Sequence, residues 1–370
     1  LSHRIFLYGT LCDPELFRIV SGLPFAARPA SLPGASVRWV AEENFPVLVE
    51  SDGLAAGVVA EVDDGARARL DFYELGFGYG VETREVTTPG GRETATVYVP
   101  ETGRWPVGDA WSLADWQALH GDLARVAAEE YVRLFGVLET DAAARAFEQV
   151  RMRAASRLRA KAEPSPGIAP DVDAPEVVPE RTAQPYTDYF AVREDWLAFP
   201  RFGGGKSPVV KRATFMGGDA VTVLPYDPKA DTVLVVRQFR HGAFCRGDPN
   251  PWTLEPAAGR IDPGEMPEET AHRELLEETG VTASALHFVG RYYPSPGAYS
   301  EYLYSYVATA DLAGRDRGVA GLVGEDEDIM AHVLPFGEAM ALIEDGTINT
   351  GPLILSLGWL ALNRERLRQG

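Results

Sequence analysis

Gly259-Arg-Ile-Asp-Pro-Gly-Glu265, seven further residues, and then Arg273-Glu-Leu-Leu-Glu-Glu-Thr-Gly-Val281 form the stretch from which the rest of the chain can be read. It satisfies G-x5-E-x7-R-E-U-x-E-E-x-G-U at every fixed position, U being a bulky aliphatic residue. Pro267 suits the first turn of a helix, where its missing N–H would be unpaired anyway, and Glu268 and Glu269 complement the positive end of the dipole. Gly280 stands where a left-handed C-terminal cap is wanted. Between these ends Glu274, Glu277 and Glu278 are spaced i, i+3, i+4, which puts three carboxylates on one face. Ala271 and Leu275 point to the neighbouring flank and can anchor the helix on a sheet. Clustered carboxylates repel unless a positive charge sits among them, and hard oxygen donors at this density suit Mg²⁺ or Mn²⁺. A merely solvated acidic face would explain the glutamates but not Gly259, Glu265, Arg273 and Gly280 in register.

At 370 residues the chain exceeds one ordinary core, so two domains are expected. The balance of 35 basic against 54 acidic side chains gives a net charge of −19. That charge opposes a nucleic-acid partner and favours a small nucleotide whose own charge is handled by metal. Cys12 and Cys245 are the only cysteines, which excludes a disulfide framework and fits a reducing cytoplasm. No run of about 18 apolar residues and no basic-then-apolar leader occurs, so no membrane partner and no secretion signal are expected.

Residues 1–108 read as short strands and turns (Ile5–Tyr8, Val37–Val40, Pro46–Glu50, Gly57–Val62, Val81–Thr88, Thr94–Val99) with one short helix at Gly65–Tyr73. Residues 109–162 have helical spacing and read as an extension of two helices. Residues 163–175 are rich in proline and poor in large apolar side chains, as in a linker. From 176 to 370, strand-like segments (Tyr186–Phe199, Ala213–Val223, Thr232–Gln238) lead into the glutamate helix, and Phe336–Asp345 and Pro352–Gln369 read as closing helices.

The glutamate stretch is the Nudix box, and the second half resembles the Nudix hydrolases, which cleave nucleoside diphosphates linked to another group. The resemblance implies an α/β/α sandwich with a mixed sheet. Tyr293-Pro-Ser295-Pro296-Gly-Ala-Tyr-Ser-Glu301 follows the box, with Pro296 placed 15 residues after Val281. This stretch resembles the ADP-ribose pyrophosphatase branch. Gly321-Leu-Val-Gly-Glu325-Asp-Glu327 resembles that branch's catalytic loop, and Val236-Arg-Gln-Phe-Arg240 and Val210-Lys-Arg212 its substrate-contacting strands. The whole chain is similar to the tellurite-resistance type of the branch. The resemblance implies metal ligation by the carbonyl of Ala258 and by Glu274, Glu277 and Glu278, with Glu327 joining on loop closure. It implies Mg²⁺, for which Mn²⁺ can substitute. Glu325 would activate water, with Glu277 a further catalytic carboxylate, and Arg273 would pin the cluster. Arg240, Arg260, Ser295 and Glu301 would line the ADP-ribose pocket. Arg212, Tyr189 and Phe190 would reach the site of the other subunit of a homodimer. The expected products are AMP and ribose 5-phosphate. A nucleotide sugar as substrate, or an ADP-ribose sensor that does not hydrolyse, are the alternatives.

In the first half, Tyr8-Gly9-Thr10-Leu11 after an N-terminal strand and Leu70-Asp-Phe-Tyr-Glu74 later resemble the gamma-glutamylcyclotransferase-like (AIG2-like) family, whose fold is a small β-barrel with helices. There the turn offers backbone N–H groups to an anionic substrate, and the glutamate is the general acid/base. Leu75-Gly-Phe-Gly-Tyr79 departs from the usual sequel. The resemblance therefore implies an accessory or weakly active domain with little turnover of gamma-glutamyl amino acids.

Overall fold

A computed structural model describes residues 1–163, 177–316, 319–320 (backbone only) and 328–369. The expected linker, apart from Glu163, and the loop glutamates Glu325 and Glu327 lie outside the described residues. The chain divides into two compact units, Leu1–Arg212 and Ala213–Gly370.

The first unit begins with β1 (Ser2–Leu7), α1 (Pro14–Ser21), β2 (Ala27–Val40), β3 (Pro46–Asp63), α2 (Asp64–Leu75), β4 (Tyr79–Thr88), β5 (Gly91–Pro100) and β6 (Val107–Ala110). The neighbour order β3-β1-β5-β4-β2, with β2 pairing back to β3, closes five strands into a barrel, and β6 adds to β2. The β1–β5 pair is parallel and its neighbours are antiparallel. Alternation along β1 sorts the two faces. Phe6 and Tyr8 join Leu32, Val59, Val86 and Val97 in one core, while Ile5 and Leu7 pack with Leu16, Phe17 and Leu70 of α1 and α2 in another.

Two expectations change here. The segments Pro46–Glu50 and Gly57–Val62 are parts of one strand, because β2 pairs alongside as far as Leu54 and continues past a bulge at Pro33/Ala35. The helix α1 was not anticipated, although its ends are marked. The Asp13 carboxylate accepts the Leu16 N–H at 2.8 Å, Pro14 opens the first turn and Gly22 closes the last at φ 78°.

The extension holds four helices rather than two: α3 (Leu113–Leu119), α4 (Gly121–Tyr131), α5 (Thr140–Arg145) and α6 (Phe147–Ala162). A hairpin follows, β7 (Arg181–Thr187) with β8 (Ala191–Leu197), and then β9 (Val210–Met216). Glu130 of α4, 1% exposed, accepts from Arg153 at 2.7 Å, Arg157 at 3.2 Å and the Gln184 amide at 3.2 Å, so a buried ion pair ties the hairpin to α4 and α6.

The second unit contains β10 (Ala220–Asp227), β11 (Thr232–Phe239), α7 (His241–Arg246), β12 (Trp252–Glu255), β13 (Ala257–Arg260), α8 (Pro267–Thr279), β14 (Ala285–Tyr292), β15 (Leu303–Thr309), β16 (Val319–Ala320), β17 (Ile329–Pro335), α9 (Phe336–Glu344) and α10 (Gly351–Gln369). Its sheet runs β14-β15-β10-β11-β17-β16, with β12 on β11 and β13 on β10. The β10–β15 pair is parallel among antiparallel neighbours, so the sheet is mixed. Every residue of β10 is buried, as expected of a strand covered on both faces. Val221 and Val223 meet Ala271 and Leu275 of α8 on one side. Leu224 and Tyr226 meet Leu353, Leu357 and Leu360 of α10 on the other, which completes the α/β/α layering.

Candidate active sites

Helix α8 holds the box glutamates on the sheet. Pro267 occupies its first turn, the Glu269 carboxylate accepts the Met266 N–H at 2.9 Å, and Gly280 takes φ 64° at the far end. Ala271 and Leu275 are fully buried. Opposite them a single guanidinium organises the carboxylates. Arg273 donates to Glu265 at 3.0 and 2.8 Å, to Glu274 at 2.7 Å, to Glu277 at 3.2 Å and to the Arg260 carbonyl at 3.2 Å. This bidentate pairing holds the Glu265 carboxyl down to about 2, with the Thr270 hydroxyl adding a hydrogen bond at 2.7 Å. Glu278, 2% exposed, accepts the Ala258 N–H at 2.9 Å.

Gly259 lies directly beneath Glu274, and a methyl group on it would overlap that carboxylate. This close approach is the physical reason for glycine at the start of the box. Among the described residues no three His, Cys, Asp or Glu side chains converge as ready ligands. Glu274 and Glu277 turn to Arg273, and Glu278 turns to Ala258. The residues nonetheless fit a hard divalent cation. The donor set beside the glycine cradle is all carboxylate and carbonyl oxygen, and the glutamates need only exchange one positive partner for another.

Around this helix end the structure brings together Arg240, Arg260 and Glu301. Burial raises the Glu301 carboxyl, and Arg260 and Arg240 act against that rise. Arg240 is itself clamped by Glu255 at 2.8 and 2.6 Å, and the Thr253 hydroxyl bonds the same carboxylate at 2.5 Å. The sequence reading missed Glu255, and also Asp219, which acts on Glu301. No local motif marks either residue. The strand pairing β11–β12 brings Glu255 alongside Val236, near the C-terminal end of β11. Ser295 sits in the exposed β14–β15 loop, where its carbonyl accepts the N–H groups of Ala298 and Tyr299 at 3.0 and 2.9 Å. Arg212, Tyr189 and Phe190 belong to the first unit, the two aromatics packed edge to face at 4.8 Å in the turn between β7 and β8.

The first unit has a cavity of about 660 Å³. The turn Tyr8–Leu11 and Glu74 of α2 both line it. Gly9 is required there, because a Cβ would stand 2.7 Å from the Pro46 ring. The tyrosines Tyr8, Tyr73, Tyr79 and Tyr98 line the same cavity. Tyr8 donates to the Tyr98 carbonyl at 2.7 Å and Tyr79 to the Pro46 carbonyl at 3.1 Å. Burial among these rings raises the Glu74 carboxyl to about 7, and among the described residues it has no hydrogen-bond or ion-pair partner. A carboxyl poised there can accept or deliver a proton near neutral pH. Phe77 and Tyr79, from the segment that departs from the usual pattern, still reach this wall.

The comparisons agree with both geometries. The NUDIX domain matches residues 216–354, and the gamma-glutamyl cyclotransferase, AIG2-like domain matches residues 5–118. An ADP-ribose pyrophosphatase of Haemophilus influenzae is 35% identical over 196 residues, 52% of this chain and 89% of that protein. One of Escherichia coli is 36% identical over 167 residues, 45% and 79% of the respective lengths. A GDP-mannose pyrophosphatase of Pectobacterium atrosepticum is 36% identical over 156 residues, 40% and 79% of the lengths. A solved structure of an ADP compounds hydrolase covers 54% of this chain and 100% of its own at 22% identity and a TM-score of 0.42. The fold and box thus define a hydrolase of the metal-dependent diphosphate-cleaving class. The chain belongs to the Nudix family and carries a gamma-glutamyl cyclotransferase-like domain ahead of its Nudix domain.

Proposed function

We propose that the second unit hydrolyses the pyrophosphate of ADP-ribose to AMP and ribose 5-phosphate. The observation that carries this is the complete box on α8, with the Arg240–Arg260–Glu301 group beside it, in a chain 35% identical to an ADP-ribose pyrophosphatase over 89% of that protein. Mg²⁺ is the proposed metal, replaceable by Mn²⁺, with Glu274, Glu277, Glu278, the Ala258 carbonyl and Glu327 as its ligands. When bound, the metal neutralises the phosphate oxygens and lowers the pKa of a water. Glu325 takes the proton from that water. Arg273 keeps Glu274 and Glu277 on one face, and Arg240 and Arg260 bind the anionic substrate with Ser295 and Glu301. We propose a homodimer in which Arg212, Tyr189 and Phe190 complete the pocket of the other copy, acting in the cytoplasm. No described helix is long and apolar enough to cross a membrane.

The 36% identity to a GDP-mannose pyrophosphatase favours a nucleotide sugar as the second reading. Product analysis with ADP-ribose, ADP-glucose, GDP-mannose and NADH at equal concentration with Mg²⁺ separates the two. Preference for ADP-ribose is expected, and a preference for a sugar nucleotide refutes the substrate while leaving the chemistry. Binding of ADP-ribose without products would identify a sensor. Equilibrium sedimentation checks the dimer, and growth on tellurite with and without the chain checks a resistance role.

A further inference from the structure

Residues 119–215 lie between the two family matches, the first of which ends at 118 and the second of which begins at 216. They contain the three side chains proposed above for the pocket of the other copy, and all three ride on one small sheet of order β7-β8-β9. Tyr189 and Phe190 stand at the turn between β7 and β8, and Arg212 stands on β9. Beside Arg212, Lys211 pairs with Glu194 of β8 at 2.6 Å and lies over the Trp196 ring at 5.1 Å, which fastens β9 to the hairpin. Only Gln184 and Ala191 are buried among the residues of these strands. A sheet with so little core of its own needs a footing elsewhere.

The footing is on the helical extension. Ala183 pairs with Glu194 and Tyr186 with Val192, so β7 bulges at Gln184-Pro185. A bulge re-aims the side chain that it contains. Here the Gln184 amide nitrogen donates to Glu130 Oε1 of α4 at 3.2 Å and to Thr187 Oγ1 at 2.8 Å. A carboxylate has no hydrogen to donate, so the nitrogen faces Glu130 and both of its hydrogens are used. The acceptor cannot swing, because Arg153 and Arg157 of α6 hold Glu130 at 2.7 and 3.2 Å. Arg133, just beyond α4, feels the charges of Arg193 and Asp195 of β8, which places the hairpin over the same end of the extension. One buried side chain thus bridges the extension to Thr187, two residues ahead of Tyr189.

We propose that Gln184 is a positioning residue for the hydrolase site. Through Glu130 it fixes the Tyr189–Phe190 turn on the helical extension, so the first unit carries the footing for substrate contacts that serve the Nudix chemistry. This rests on reading Tyr189 and Phe190 as pocket residues of the other copy. Gln184 touches no reacting atom and acts through the turn. Its loss weakens substrate binding and leaves the carboxylates of α8 as they are. The link also gives the two matched domains a physical reason to share one chain.

The test is steady-state hydrolysis of ADP-ribose with Mg²⁺ by the full chain and its variants. Gln184→Met keeps the length and burial of the side chain but has no N–H to donate. Its KM should rise about 5–20-fold with kcat within about twofold of the unmodified chain. Thr187→Val removes the other partner of the amide at a half-buried position and should raise KM by a smaller factor, and it decides alone if Gln184→Met does not fold. Phe190→Ala reads the turn directly. It should raise KM, and adding Gln184→Met to it should raise KM little further, since both changes act through one turn. If Phe190→Ala raises KM while Gln184→Met and Thr187→Val leave it unchanged, the positioning role falls and the pocket reading stands. Effects of Gln184→Met and Phe190→Ala that simply add, or a loss in Gln184→Met confined to kcat, also overturn it. A KM unmoved by both Tyr189→Ala and Phe190→Ala brings down the pocket reading and the proposal with it, as does absence of hydrolysis by the unmodified chain.

Discussion

The two sites hold carboxylates in opposite ways. Glu265, just ahead of α8, and Glu274 and Glu277 on it share one guanidinium, and Glu265 is held down to about 2. In the barrel unit Glu74 faces a cavity lined by four tyrosines, is paired with no cation among the described residues, and burial lifts it to about 7. The contrast teaches how one residue type is assigned to different work. Acids that are to hold charge are surrounded by charge, and an acid that is to exchange a proton is kept dry.

The largest effect that could break this contrast is at Glu278. Glu278→Gln keeps the shape but removes the charge that would hold metal, so turnover of ADP-ribose should fall about 10²–10³-fold, and EDTA should abolish it in the unmodified chain. Near-normal rates would place the working carboxylates elsewhere. Next in size is Glu74→Gln. Release of 5-oxoproline, weak in the unmodified chain, should drop about 10²-fold, and in the unmodified chain it should rise with pH through about 7 as the carboxyl ionises. A flat pH profile would remove Glu74 from the proton transfer. Gly259→Ala should follow, costing about tenfold or more in ADP-ribose turnover with Glu274 displaced by the added methyl. Wild-type rates would show that the cradle has room to spare.

The smallest effect is on stability, and its sign follows from linkage. The folded pKa of Glu74 lies above its ordinary value of 4.5, so the folded state binds this proton more tightly, and stability is lost as pH rises from about 4.5 to about 7. Glu74→Gln mimics the neutral form. Its melting midpoint should exceed that of the unmodified chain by a few degrees at pH 8 and match it at pH 4. The reverse order at pH 8 would mean that the ionised carboxylate has a stabilising partner.

What could be read from the sequence was what is encoded locally. The ends of α8, its buried flank and its acidic face are set by residues within a few turns of each other, and all are legible in one window. The ends of α1 were marked in the same manner by Asp13, Pro14 and Gly22, and the reading passed over them. Long-range pairing was not legible. Pro46–Glu50 and Gly57–Val62 read as separate strands, yet β2 pairs with both, on either side of a register shift that skips Ser51-Asp52-Gly53. The hydrogen bond from Gln184 of the β7–β8 hairpin to Glu130 of α4 joins partners 54 residues apart that no window contains.

The guanidinium of Arg273 also bears on what happens when divalent ions are scarce. Because Arg273 already bridges Glu265, Glu274 and Glu277 and offsets part of their charge, α8 has a counter-charge of its own before any external ion arrives. Its flank is buried and its ends are capped by its own side chains and glycine. Folding and loading are then separate events, and depletion should produce a dormant but intact molecule that recovers on resupply without refolding.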